Sequence, residues 1–154
     1  MQPMKVGSFE MTRVEEMIWT ISPRFLFPDL TYQDFEPHRD WLVPHFSAED
    51  LILRLSIHTF VVRTPHHTIL VDTCIGNDRT RDIPLWDHMR TDYLERLVAS
   101  GVRPEEVDYV FCTHMHVDHV GWNTPLADRR QGLLVQTPGF GTYVVNELQG
   151  CFFA

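Results

Sequence analysis

Val107-Asp108-Tyr109-Val110-Phe111-Cys112 runs directly into Thr113-His114-Met115-His116-Val117-Asp118-His119-Val120-Gly121, and this junction governs how the rest of the chain is read. The first half reads as a buried apolar strand. The second concentrates three imidazoles and a carboxylate between His114 and His119, and core packing gives no reason to gather such polar side chains. Neutral imidazole and carboxylate are the donors that Zn²⁺ and similar divalent ions accept. In an extended or turning segment, residues two apart point the same way. His114 and His116 are therefore expected to share one ion, while Asp118 and His119, after the turn, reach a second. Adjacent Asp118 and His119 are expected to point apart, which would strain any single ion served by all four donors. Gly121 is expected to let the backbone bend back closely behind the site. Two ions about 3.5–4 Å apart can bind a bridging hydroxide and polarise a carbonyl or phosphoryl oxygen.

Upstream, the clearest pattern is an alternation. Leu51, Leu53, Leu55, Ile57, Thr59 and Val61 fall on one face of a predicted strand, with Ile52, Arg54, Ser56, His58, Phe60 and Val62 on the other. Pro65-His66-His67 makes the turn, and Thr68-Ile69-Leu70-Val71-Asp72 returns as a second strand. Cys74-Ile75-Gly76-Asn77-Asp78 reads as loop. From Asp87 to Ser100 the period becomes helical, with Met89, Tyr93, Leu94, Leu97 and Val98 on one stripe and Gly101 as the stop. Pro104-Glu105-Glu106 opens a further helical turn. Residues 5–18 read as an opening hairpin. Between residues 19 and 46, Pro23, Pro28, Pro37 and Pro44 rule out a long helix and leave an aromatic arm with short helical turns. The other histidines (His38, His45, His58, His66, His67 and His88) are read as packed or solvated side chains.

Composition bounds the function. The 154 residues are 44% hydrophobic and 22% charged, the profile of one ordinary globular domain. The longest apolar runs are strand-sized, so no membrane span is expected. The opening Met1-Gln2-Pro3-Met4-Lys5 lacks the pattern of a secretory leader, which makes the cytosol the expected compartment. Cys74, Cys112 and Cys151 show no C-x-x-C spacing and are read as reduced thiols, Cys112 as a small buried strand residue. A net charge of −8 disfavours nucleic acid as a partner.

The stretch Thr113 to Gly121 resembles the signature of the metallo-β-lactamase superfamily. Val102 to Val110 resembles the helix-turn-strand that feeds the signature, and Ile69-Leu70-Val71-Asp72-Thr73 the earlier strand ending in an aspartate. The resemblance covers residues 5–128. Val71 to Asp78 and Asp118 to Thr124 look most like the lactonase and organophosphate-hydrolase-like branch. It implies an α+β fold, the N-terminal part of a four-layer αβ/βα sandwich with the second half largely missing. It further implies His114 and His116 as ligands of the first ion and Asp118 and His119 as ligands of the second. Asp118 would also take part in proton transfer, and Asp72 would fix the orientation of the metal-bearing loop. The cofactor is expected to be zinc, one or two ions, with manganese, iron and cobalt as alternatives. The implied reaction is attack by a metal-bound hydroxide on a lactone or ester-type bond of a small molecule.

The chain also departs from the pattern. The family completes its site with a further histidine, a bridging aspartate and a final histidine. This sequence has no histidine after His119, and its last aspartate is Asp128. Residues 1–130 are therefore taken as the N-terminal part of the domain, and residues 131–154 as a divergent, truncation-like tail with strand-like runs at Leu133–Val135 and Tyr143–Val145. Three readings follow: a metal-dependent hydrolase, a non-catalytic fragment or pseudoenzyme with an incomplete site, and a split enzyme completed by a second chain. An uncovered sheet face predicts a homo-oligomer or marginal stability.

Overall fold

A computed structural model describes residues 3–123 and 142–145. Six strands form one sheet in the order β1-β2-β3-β4-β5-β6: Met4–Val6, Phe9–Ile21, Leu53–Arg63, Thr68–Val71, Tyr109–Cys112 and Thr142–Val145. β1 and β2 pair antiparallel, as do β3 and β4, where Val61 lies opposite Leu70. The sense then changes. β4, β5 and β6 run parallel, with Leu70 opposite Val110 and Val110 opposite Tyr143. Parallel neighbours need a long crossover, and residues 72–108 supply it between β4 and β5.

The chain divides into two compact units, residues 1–16 with 58–154, and Met17–Ile57. In the first unit, Val61, Leu70, Tyr93, Leu97 and Val110 are wholly buried, joined by Val102, Val107 and Cys112. The alternation that placed Ile57, Thr59 and Val61 on one face is seen in their burial. In the second unit Trp19 and Phe35 are buried, and Trp19 meets Phe25 edge to face with ring centroids 5.5 Å apart. This is the proline-rich arm. Its helical segments are a 3-10 turn at Pro23–Phe25, helix α1 at Tyr32–Phe35, a 3-10 turn at Glu36–His38 and helix α2 at Arg39–Leu42. Thr31 starts α1 with a capping box to Asp34.

Several predicted boundaries move: the opening hairpin runs on to Ile21 rather than ending at residue 18, and β5 begins at Tyr109 rather than Val107. The β3 strand begins at Leu53 rather than Leu51, because Leu51 adopts φ 67° and donates its N–H to Ala48 O at 3.0 Å, closing a turn. Helix α3 is Tyr93–Ala99, six residues shorter at its start than the periodicity from Asp87 predicts. Asn77 competes for that stretch: its side chain accepts the Thr91 N–H at 2.8 Å and donates to the Thr91 carbonyl at 2.9 Å. His88, at φ 47°, turns the backbone out of any helix. Met89 therefore lies outside the helix, while Tyr93 and Leu97 keep its buried face. Tyr143–Val145, expected as a strand, lies within β6. The Leu133–Val135 run and Cys151 lie outside the described residues.

Candidate metal centre

The histidine motif follows the end of β5, and the end of β4 lies beside it. Asp72, the first residue after β4, is left-handed at φ 57°, as is Cys74 at φ 54°. Such conformations cost a non-glycine residue roughly 1 kcal/mol each and cluster where function holds the chain off its preferred path. Asp72 Oδ1 accepts the Thr113 N–H at 2.8 Å. Its Oδ2 accepts the Thr113 hydroxyl at 2.8 Å and stands 2.8 Å from His119 Nδ1. One carboxylate thus ties together the residue before His114 and the last residue of the motif.

A strap behind the motif does the rest. Residues Thr73–Gly76 lie against His119–Trp122. Thr73 N donates to His119 O at 2.7 Å, Gly121 N to Cys74 O at 2.7 Å, and Trp122 N to Thr73 O at 2.9 Å. Gly121 is obligatory for this approach, since a methyl group there would overlap the Ile75 carbonyl carbon and oxygen. Gly76, at φ 81°, faces it, and a Cβ at Gly76 would meet Gly121 O at 2.6 Å. The close backbone approach anticipated at Gly121 is what the structure has.

The four donor residues come together as two pairs. His114 Nε2 lies 3.1 Å from His116 Nδ1. His119 Nε2 lies 3.4 Å from Asp118 Oδ2. The expectation that Asp118 and His119 point apart is therefore corrected: the turn between β5 and Gly121, with His119 N donating to His116 O at 3.0 Å, brings the adjacent side chains face to face. The rings of His114 and His119 are 3.9 Å apart at their centroids.

Electrostatics differ between the pairs. Burial, with His119 and His116 nearby, holds His114 below its ordinary value, so its ring is neutral at pH 7. Burial pushes His119 down, but hydrogen bonds to Asp118 and Asp72 more than offset it and carry it up to about 9. Burial pushes Asp72 and Asp118 up, yet each ends below the ordinary carboxylate value because His119 donates to both, with Thr113 also donating to Asp72. Without metal, His119 is an imidazolium clamped between two carboxylates.

Two ligand atoms at 2.0–2.1 Å from a tetrahedral zinc sit roughly 3.3 Å from each other. The separations within the two pairs, 3.1 Å and 3.4 Å, lie close to that edge. Among the described residues, no group of three or more His, Cys, Asp or Glu side chains is arranged to hold a metal ion. The donor types, imidazole and carboxylate, are ones that divalent metal accepts.

The sequence reading missed several supports. Thr113, which the spacing of the motif gives no role, engages Asp72 through both its N–H and its hydroxyl. Glu16 is a buried carboxylate at 2% exposure that accepts hydrogen bonds from Ile75 N, Gly76 N, Thr91 Oγ1 and Trp122 Nε1. Its signal was available in period two: Val14 points inward, so Glu16 does too.

The family model described as Metallo-beta-lactamase superfamily matches residues 52–135. The chain belongs to the metallo-β-lactamase superfamily. Three of the solved structures similar to it are the following. The hydrolase AbOPH in the beta lactamase superfamily is 27% identical, with a TM-score of 0.59 over 79% of this chain and 38% of that one. A probable metal-dependent hydrolase from Staphylococcus aureus is 20% identical, with a TM-score of 0.62 over 80% and 44%. AidC, a dizinc quorum-quenching lactonase crystallised with a product, is 20% identical, with a TM-score of 0.63 over 94% and 43%. The chain thus spans about two-fifths of the length of these structures, and its α+β sheet is the corresponding part of their fold. No curated protein matches the sequence.

Proposed function

We propose that this chain carries the metal-donor half of a hydrolase that opens lactone or ester-type bonds in small molecules. The observation that carries the reading is the pair of half-sites, His114 with His116 and Asp118 with His119, fixed by Asp72 in a member of this superfamily. AidC is a dizinc lactonase and AbOPH a hydrolase, which supports the choice of bond and of zinc over manganese, iron or cobalt. A bound divalent ion would supply Lewis acidity to a carbonyl oxygen and lower the pKa of water. The chain's own residues do the remainder. His114 offers a neutral ring, Asp72 holds His119 by its Nδ1 so that Nε2 faces the site, and Asp118, ionised at neutral pH, accepts a proton.

The test is turnover of a lactone and aryl-ester panel by zinc-loaded protein, lost in His116→Ala. Absence of turnover with two ions bound would overturn it. A second reading, a non-catalytic fragment that binds one ion or fewer, is favoured by the lack of any three-donor group among the described residues. Metal analysis after exhaustive dialysis separates the two: two ions per chain sinks the second reading, and fewer than one supports it.

Two further features belong to this proposal. The buried, unpaired thiols of Cys74 and Cys112 suit the reducing cytosol. Within the Met17–Ile57 unit, Phe25, Phe27, Tyr32, Trp41 and Phe46 are all more than half exposed, an apolar surface that supports self-association. A monodisperse monomer by light scattering would remove that part.

A further inference from the structure

We propose that Glu16 is a positioning residue for the Asp118–His119 pair, acting through the strap and Trp122. The case begins with the chemistry of its neighbours. Four groups donate to one buried carboxylate: Ile75 N to Oε2 at 2.8 Å, and Gly76 N at 3.3 Å, Thr91 Oγ1 at 3.3 Å and Trp122 Nε1 at 2.7 Å to Oε1. These donors come from the strap behind the motif, the segment before α3, and the turn just after the motif. A carboxylate accepts with both oxygens, so it fits this ring of donors, whereas an amide would turn an NH₂ toward one of them.

The lever arm is short. Ile75 and Gly76 are the strap residues that Gly121 packs against, and Trp122 follows Gly121 directly. Thr73, in the same strap, holds His119 O through its N–H at 2.7 Å. Trp122 is fixed on its other side by stacking on Tyr93, with ring centroids 5.3 Å apart and planes 22° from parallel. Glu16 therefore holds the strap by its backbone and the turn after the motif by the Trp122 indole, the two segments that close on either side of Asp118 and His119. It touches neither donor. Burial pushes its own carboxyl above the ordinary value against the pull of its four donors.

The functional meaning rests on the metal-hydrolase reading, but the test does not need turnover. In the metal-free chain, histidine ring resonances are recorded by NMR for wild type, Glu16→Gln, Trp122→Phe and Leu97→Ala. Leu97→Ala is the stability control: it removes a buried side chain and leaves every hydrogen bond of the strap in place. Glu16→Gln is expected to move the His119 ring resonances and to weaken cobalt(II) binding at least tenfold, the scale of losing an outer support of a ligand. Trp122→Phe, which keeps an aromatic ring for Tyr93, is expected to move His119 in the same direction by less. If Glu16→Gln fails to fold, Trp122→Phe carries the test alone. His119 resonances unmoved in both variants, or moved equally by Leu97→Ala, would overturn the proposal. Failure of wild type to bind cobalt(II) would count against the hydrolase reading while leaving the ring resonances to decide the role of Glu16.

Discussion

Asp72 Oδ2 lies 2.8 Å from His119 Nδ1, and the same oxygen accepts the Thr113 hydroxyl, so the end of β4 grips the histidine motif at both of its ends. Removing the carboxylate leaves the Thr113 N–H and hydroxyl and the His119 ring without their acceptor. Asp72→Ala is expected to cost about 2–4 kcal/mol, the range for a buried charge-assisted network broken on one side. Asp72→Asn keeps an acceptor for Thr113 N and should cost less. Urea denaturation of both variants checks the order.

The clamped imidazolium gives the metal-free protein a defined pH profile. His119 is raised from 6.5 to about 9. A raised histidine stabilises fully below its unfolded value, and that stability is lost as pH climbs through the folded value. Asp72 and Asp118 are lowered, so their contribution is present above the ordinary value of 3.8 and lost as pH falls. Glu16 is raised from 4.5, so its ionisation erodes stability as pH rises past that value. With chelator present, Tm should therefore fall from pH 6.5 to 9 by the equivalent of about 2 kcal/mol. His119→Gln should flatten this limb, and an unchanged slope in that variant would contradict the clamp.

Gly121→Ala places a methyl group against the Ile75 backbone, where no side-chain rearrangement can make room. A destabilisation of about 3 kcal/mol or more is expected, at the upper end of what overpacking costs. The variant should also lose metal binding, because the strap that receives Gly121 also holds His119 O. Thermal melts and cobalt(II) titration test the two effects separately.

Thr59 and Tyr93 form a fully buried hydroxyl pair 2.6 Å apart, with Cys74 Sγ 3.5 Å from Thr59. Tyr93→Phe is expected to cost about 1–2 kcal/mol, and Thr59→Val a similar amount. Because each removes the same hydrogen bond, the double variant should cost clearly less than their sum. Additive losses would show that the two hydroxyls do not depend on each other.

The fold was legible where periodicity is set by one buried face. The alternation through Ile57, Thr59 and Val61 and the apolar run to Cys112 gave β3 and β5 directly. The start of α3 was not legible, because the side chain of Asn77, far from it in sequence, captures the Thr91 backbone. The donors of the candidate site could be read from their spacing, and Asp72 from the strand ending that it shares with the family. The meeting of Asp118 and His119 could not, since it depends on a turn closed by His119 N and His116 O. Glu16 escaped for a related reason. Its inward direction follows from Val14 two residues before it, but the donors it serves lie dozens of residues away.

The strap and motif draw on residues from Glu16 to Trp122, and almost none of their hydrogen bonds join near neighbours in sequence. Loop-closure entropy must be overcome before such contacts form. The candidate site is thus expected to form late in folding, after hairpin β3–β4 has paired and the crossover to β5 has closed. In hydrogen exchange, the amides of Ile75, Thr113 and Gly121 should therefore report the most complete form of the folded state. Their protection would then serve as a direct readout of how much of a sample has an assembled site.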